Sequence, residues 1–344
     1  MIAHRLPGAR LPGVPDLMPA WMQDSGASGI RLERMRVPRP RAGEVLLRVR
    51  ATALDGTDLR MMRRGPRRAR AGVSTPGRQV PGSAVAGTVV AIGSGVVGSE
   101  LGEEVVVGLP GGGGLAALVA VDEMRLVPRP PHLAVESAAC LAGGGSRVWQ
   151  ALDMAGLDKR VAHRRRVLIA GASAAATIAV QLATVRGAEV WATDAVSSGR
   201  PPGVHPIAPD ALAAEIPSGH LDAVVDLGSG IRLALLQRLT ARGGVIVLAG
   251  EDAVPGSFRH RTAGLLLSGG RSIRIRTLAA GVHPEVVRAL TLLADEGAVT
   301  PVWDGEWPFS AAPSAIHHLV AAGARAPVVV QGPDAGDAQT RVRE

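Results

Sequence analysis

Residues 166–194 read RVLIAGASAAATIAVQLATVRGAEVWATD, and this stretch decides the fold. Val167 to Gly171 is a short apolar run closed by glycine, too short for a helix and suited to a buried parallel strand. Thr177 to Arg186 carries helical periodicity, and Gly187 stands where a helix stop is expected. Glu189 to Thr193 resumes as a strand and ends at Asp194, about 20 residues beyond the turn, where a carboxylate can reach a ribose hydroxyl. Strand, turn, helix, strand and terminal acid form the layout of a dinucleotide-binding unit. A full glycine turn would read G-x-G-x-x-G/A. Here Gly171 keeps the first position, Ser173 replaces the second glycine and Ala176 takes the third.

Outward from this unit the same alternation continues. Leu221–Leu227 reads as a strand, Ile231–Arg242 as a helix stopped by Gly243-Gly244, and Val245–Gly250 and Ser272–Thr277 as strands. Strands and helices alternating at this spacing imply a parallel sheet covered on both faces. Upstream the texture is different. Ile30–Val37, Glu44–Ala53, Gly82–Val96 and Glu104–Gly108 are short alternating strands punctuated by glycine, a barrel-like pattern. Helix formers take over from Ser137. After Gly281 a helix is expected over Pro284–Glu296, then Ala315–Ala321, then a last strand, Pro327–Gln331, returning to the barrel.

The 344 residues suggest two domains, and 47% hydrophobic residues suffice for buried cores. The chain carries 38 Lys+Arg against 30 Asp+Glu, yet Lys159 is the single lysine and the arginines are scattered. With no tyrosine and 2% aromatic residues, the stacking platforms of single-strand nucleic-acid binders are missing, and no nucleic-acid partner is expected. The lone Cys140 excludes an intramolecular disulfide and a four-cysteine zinc site, and its apolar neighbours suit a buried, inert thiol. No apolar run has the length of a membrane span. A cytoplasmic protein with a loose segment over residues 1–19 is the reading, and a homodimer is its expected assembly.

The whole pattern resembles the medium-chain dehydrogenase/reductase superfamily over roughly residues 20–331. The resemblance is carried by PRPRAGEVLLRV, the GTDL of Gly56–Leu59, VPGSAVAGTVVAIGSGV, AACLAGGGSRVWQAL, VLIAGAS, GAEVWATD, LDAVVDLGSG and GGVIVLAG, in that order. It implies an α/β protein: a GroES-like β-barrel domain (20–140 and 282–344) and a Rossmann domain (141–281), with cofactor and small-molecule substrate in the cleft between them. The zinc branches of the family place a Cys before GTDL, a His in Gly-His-Glu and a third ligand ahead of the Ser146 region. Those positions hold Asp55, Ser83 and the Ala142–Gly145 stretch, so the expectation is no zinc.

The resemblance further implies that Thr57 relays a proton to the substrate oxygen, though the hydroxyl also suits a barrel turn. Asp55 is a candidate general acid or base if burial raises its pKa, or an N-cap for the helical turn after it. Ser83 completes the candidate catalytic set. Asp58 would support ligands in a zinc enzyme and could pair with Arg60 here. Arg147, where the family has a small residue, would bind an anionic substrate group or lie in solvent. For NAD or NADP, the expected contacts are Gly171, Ser173, Ala174, Ala175 and Ala176 at the pyrophosphate, with Asp194 favouring NAD and Arg200 favouring NADP. Ser173 either crowds the pyrophosphate or donates to it, and would cost about 1–2 kcal/mol if its backbone needed positive φ. The function implied is a zinc-independent reductase of an enone, quinone or carbonyl. The alternative is a redox-inactive descendant serving as a cofactor-free cyclase, isomerase or binding module.

Overall fold

A computed structural model describes residues 13–24, 29–64, 78–158, 164–193, 203–250, 273–278 and 281–333. The chain opens with β1 (Leu17–Asp24), β2 (Arg31–Arg36), β3 (Glu44–Leu54) and α1 (Gly56–Arg64). Then come β4 (Arg78–Gln79), β5 (Ala84–Ile92), β6 (Glu104–Gly108), β7 (Leu118–Asp122) and β8 (Val127–Pro128). Helices α2 (Val135–Cys140) and α3 (Ser146–Met154) are joined through a π-helical turn, Leu141–Gly145. The alternating region supplies β9 (Arg166–Ala170), α4 (Ala174–Val185), β10 (Glu189–Ala192), β11 (Val204–Pro206), α5 (Leu212–Glu215), β12 (Leu221–Asp226), α6 (Leu233–Leu239), β13 (Thr240–Leu248) and β14 (Arg274–Thr277). It is followed by α7 (Pro284–Asp295), β15 (Glu306–Trp307), α8 (Ala312–Ala321) and β16 (Val328–Gln331).

Among the described residues a small antiparallel sheet, β2-β1-β4, accompanies two larger sheets of different character. The six strands of the alternating region run parallel in the order β11-β10-β9-β12-β13-β14. Their order reverses between β9 and β12, and in open α/β sheets ligands bind at the carboxyl ends of strands at such a switch point. The second sheet has seven strands in the order β15-β16-β3-β5-β6-β8, with β7 also paired to β3. It is antiparallel apart from the β15–β16 pair. Its long strand β3 slips register twice against β5, between Leu46 and Leu47 and between Val49 and Ala51, and such bulges bend a sheet towards closure. Gly87 sits at this bend, where a Cβ would run into the Arg48 carbonyl. The two sheets share a core. One buried cluster runs from Ala51, Ala84 and Val106 through α2 and α3 to Val167, Ile169 and Val225. The α2–α3 segment thus fixes one sheet against the other.

Expectations in two regions are corrected. The loose segment assigned to 1–19 ends sooner, because Leu17–Pro19 already pairs with Arg34–Arg36 in β1. Pro19 offers no N–H to this strand, and its carbonyl accepts from Ala117 N–H at 3.1 Å. Helix α4 starts at Ala174, within the turn expected to present its N–H groups, and Ser173 caps it. The helix expected over 231–242 stops at Leu239. There Thr240 turns extended and its hydroxyl donates to the Leu236 carbonyl at 2.7 Å, ending the helix from within. Thr240 then opens β13, and Gly243-Gly244 lies in the register shift between Leu221↔Thr240 and Ala223↔Val245. Asp194 and Arg200 lie outside the described residues.

Candidate active site

A cleft of about 620 Å³ opens at the switch point. Its walls come from the turns after β9 (Gly171–Ala175) and β12 (Leu227–Ser229), from Asp55 and Gly56 at the start of α1, and from Gly143 and Gly144. The loop after α8, Gly323–Arg325, completes the rim.

At the parallel-sheet end, Gly171 adopts φ +149°, and a Cβ there would stand 3.1 Å from that of Leu227, so this turn accepts only glycine without strain. Its N–H donates to Thr193 Oγ1 at 3.0 Å. Ser173 is extended at φ −148°, ψ 162°, which removes the backbone penalty considered for a serine in this position. Its Oγ accepts from Ala176 N–H at 3.3 Å, an N-cap that satisfies one open donor of α4. Ala174 N–H is taken by the Arg325 carbonyl at 2.7 Å. That contact was not foreseen, because a loop more than a hundred residues away leaves no local trace at the turn. Ala174 and Ala175 line the cleft, whereas Ala176 is turned into the core.

At the barrel end, Asp55 caps α1, its Oδ1 accepting from Thr57 N–H at 2.7 Å. Asp58 answers by accepting from Asp55 N–H at 3.0 Å. This is a capping box built from two carboxylates, and its D-x-x-D spacing was visible in the sequence. Asp58 is 1% exposed and also accepts from Ser83 Oγ at 3.0 Å and Gly82 N–H at 3.2 Å. Burial, and after it the charge of Asp55, push the Asp58 carboxyl up to about 8 against the pull of these donors. The expected partner of Asp58 was Arg60. Arg60 instead reaches Thr57 Oγ1, at 3.4 Å, and Ser83 serves Asp58 rather than lining the cleft. Arg147 Nη2 donates to the same Thr57 oxygen at 2.6 Å, and Arg147 itself lines the cleft. Cys140 is buried, and burial drives its thiol well above the ordinary range.

Of the three positions that carry zinc ligands in the family's metal branches, Asp55 and Gly143 meet at the cleft. A Cβ on Gly143 would lie 3.6 Å from Asp55 Oδ2 and 3.5 Å from the Cβ of Ala84, the residue after Ser83. They bring together one carboxylate and a glycine, while Ser83 turns its hydroxyl to Asp58. Among the described residues no group of three His, Cys, Asp or Glu is placed to hold a metal ion.

Barrel-type sheet, parallel sheet in the 3-2-1-4-5-6 order and a cleft between them define an α/β scaffold of the dinucleotide-binding type. Residues 41–131 match the alcohol dehydrogenase GroES-like domain. A chloroplast envelope quinone oxidoreductase homolog of Arabidopsis thaliana is 30% identical over 84% of this chain and 90% of its own length. A chloroplastic quinone-oxidoreductase of Triphysaria versicolor is 28% identical over 89% and 95%. The quinone oxidoreductase structure from Coxiella burnetii superposes with TM-score 0.75 at 22% identity, covering 92% of this chain and 99% of that one. The chain belongs to the medium-chain dehydrogenase/reductase superfamily, among its quinone-oxidoreductase-like members. Among the described residues no helix is long and apolar enough to cross a membrane.

Proposed function

We propose that the protein is a zinc-independent, NAD(P)H-dependent reductase of an enone, quinone or carbonyl compound. The observation that carries this reading is the cleft itself. It joins the switch point of the parallel sheet to a barrel end where Asp55 and Gly143 stand at positions that hold metal ligands in the family's zinc branches, with Ser83 behind them on Asp58. Relatives named as quinone oxidoreductases and as a 2-methylene-furan-3-one reductase support the substrate range.

The residues fit a dinucleotide in outline. Gly171 makes the turn after β9, Thr193 fixes its N–H, and the first turn of α4 faces the cleft. A reduced nicotinamide, when bound, supplies the hydride. The chain's own part is to orient the substrate oxygen and to manage the proton. Thr57 Oγ1 accepts from Arg147, and a guanidinium never accepts in return, so the hydroxyl proton is directed to some other oxygen. Asp55 Oδ2 lies by the glycine wall of Gly143 and Gly144, the second oxygen placed to meet the substrate there. Asp194 is assigned to NAD preference and Arg200 to the competing NADP preference, with the cytoplasm and a homodimer as the proposed setting.

The Ala174–Arg325 bond favours a second reading, a redox-inactive descendant, because it occupies a donor that a pyrophosphate would use. Calorimetric titration with NADH and NADPH decides between them. Binding of either supports the reductase, and NADH is expected to bind more tightly, with Asp194→Ala narrowing the gap. Binding of neither to a folded protein overturns it in favour of the second reading.

A further inference from the structure

The carbonyl that takes Ala174 N–H reaches it through a strained stretch of backbone. Helix α8 ends in a Schellman turn, in which Gly323 N–H donates to the Val320 carbonyl at 3.1 Å and Ala324 N–H to the Leu319 carbonyl at 2.9 Å. Such a cap needs one left-handed residue, and Gly323 supplies it at φ +66°. Ala324 follows at φ +54°, left-handed as well although it carries a Cβ. Among the described residues Arg164 is the one other non-glycine residue in that region. The helix cap does not call for this second left-handed residue. It stands directly before Arg325, whose carbonyl crosses the rim of the cleft to Ala174 N–H at 2.7 Å.

Strain of this kind persists only where surrounding contacts hold it, and it gathers at segments that switch. The strap Gly323–Arg325 joins α8 to β16, both on the barrel side, yet the Arg325 carbonyl meets a helix of the parallel sheet. The donor it covers is one that the diphosphate of a cofactor would use. Carbonyl and phosphate cannot both take Ala174 N–H. A phosphate oxygen is charged and makes the stronger bond, and its arrival frees Ala324 to leave the left-handed region. We propose that the strap is a latch, closed on α4 in the free protein and displaced by the diphosphate of an entering dinucleotide. Affinity is then reduced by the fraction of molecules that stand latched. The proposal rests on the reductase reading for the ligand and on the strap's geometry for the movement.

Binding of ADP and of NADH to the full-length protein and to its Ala324→Gly variant is measured by calorimetry, with thermal melts to check folding. Glycine takes the left-handed conformation without strain, so the variant keeps the latch shut more firmly. It is expected to bind both nucleotides roughly fivefold more weakly while melting no lower than the parent. A folded variant that binds them as tightly as the parent, or more tightly, overturns the latch. Trypsin then acts on the parent, and the cut after the exposed Arg325 is followed by mass spectrometry. The carbonyl that trypsin must attack is the one that Ala174 N–H holds in the latched state. Saturating ADP is therefore expected to speed this cut several-fold, whereas a ligand that only stiffens the protein would slow it. An unchanged or slower cut overturns the latch. NADH bound equally by parent and variant, with benzoquinone reduced, leaves the reductase standing and sinks the latch. ADP bound more weakly by the variant, with no NADH oxidation on benzoquinone or cyclohexenone, sustains the latch and sinks the reductase. A folded parent that binds neither nucleotide overturns both.

Discussion

Two helices begin at the cleft, and their first turns are capped in opposite ways. α1 is opened by carboxylates: Asp55 receives Thr57 N–H, and Asp58 returns to Asp55 N–H from a position with almost no solvent contact. α4 is opened by neutral groups, the Ser173 hydroxyl on Ala176 N–H and the Arg325 carbonyl on Ala174 N–H. Both devices satisfy donors that a helix start leaves open. They differ in what they leave behind. The carboxylate cap places two acids side by side, so burial and mutual repulsion hold a proton on Asp58. The neutral cap leaves the positive end of the α4 dipole uncompensated by formal charge, the condition an anionic ligand needs.

The largest expected effect breaks the acid side of this comparison. With Asp58 at about 8 in the folded protein and an ordinary carboxylate near 3.9 in the unfolded chain, both states hold the proton at low pH and neither does well above 8. Between those limits only the folded state holds it, so its contribution to stability is full at low pH and is lost as pH rises towards about 8. The loss is on the order of 6 kcal/mol at most, at about 1.4 kcal/mol per pKa unit. Asp58→Asn should lower stability at pH 5 by about 1–3 kcal/mol, because one N–H loses its acceptor. It should also flatten the decline towards pH 8, read from denaturant midpoints of parent and variant. A decline of equal slope in the variant would place its origin elsewhere.

A smaller effect separates cap from charge. Asp55→Ala should cost about 1 kcal/mol of cap stability. Because the Asp55 charge is the second cause of the Asp58 shift, the same variant should also move the midpoint of the pH decline downward. Asp55→Asn should shift the midpoint while keeping the cap. The smallest effect is at α4. Ser173→Gly should change stability by only a few tenths of a kcal/mol, and Ser173→Ala by about 1 kcal/mol. The glycine variant should bind nicotinamide roughly tenfold more tightly if the serine side chain crowds the pyrophosphate. A folded Ser173→Gly protein that gains nothing would mean that the hydroxyl holds phosphate or that the pocket is blocked elsewhere.

The order of strands and helices was legible because each element carries its own period, and the residues 166–194 alone fix strand β9, helix α4 and strand β10. The glycine turn was legible too, down to the residue at each position. The paired acids were half legible: Asp55 was named as a cap or a catalyst, but its partner was sought in Arg60 because neighbouring opposite charges suggest a pair. Burial of Asp58 under Gly82 and Ser83 decided otherwise, and burial arises from packing between strands distant in the chain. Thr57 and Arg147 were each singled out, yet nothing in the sequence joined residues on two separate helices. Arg325 left no signal at all, since its role is played by a backbone carbonyl that any residue could supply.

The pairing of β16 with β3 bears on how the chain comes to be built. Val328–Gln331 lies against Ala51–Leu54, so nearly the whole parallel sheet is synthesised between one strand and its neighbour. The parallel sheet is contiguous from β9 to β14 and can close while the chain is still emerging. The antiparallel sheet cannot, because β3 keeps an unpaired edge until its last partner arrives, and such an edge invites association with other chains. The order of synthesis therefore leaves the sheet that comes first in sequence to be completed last.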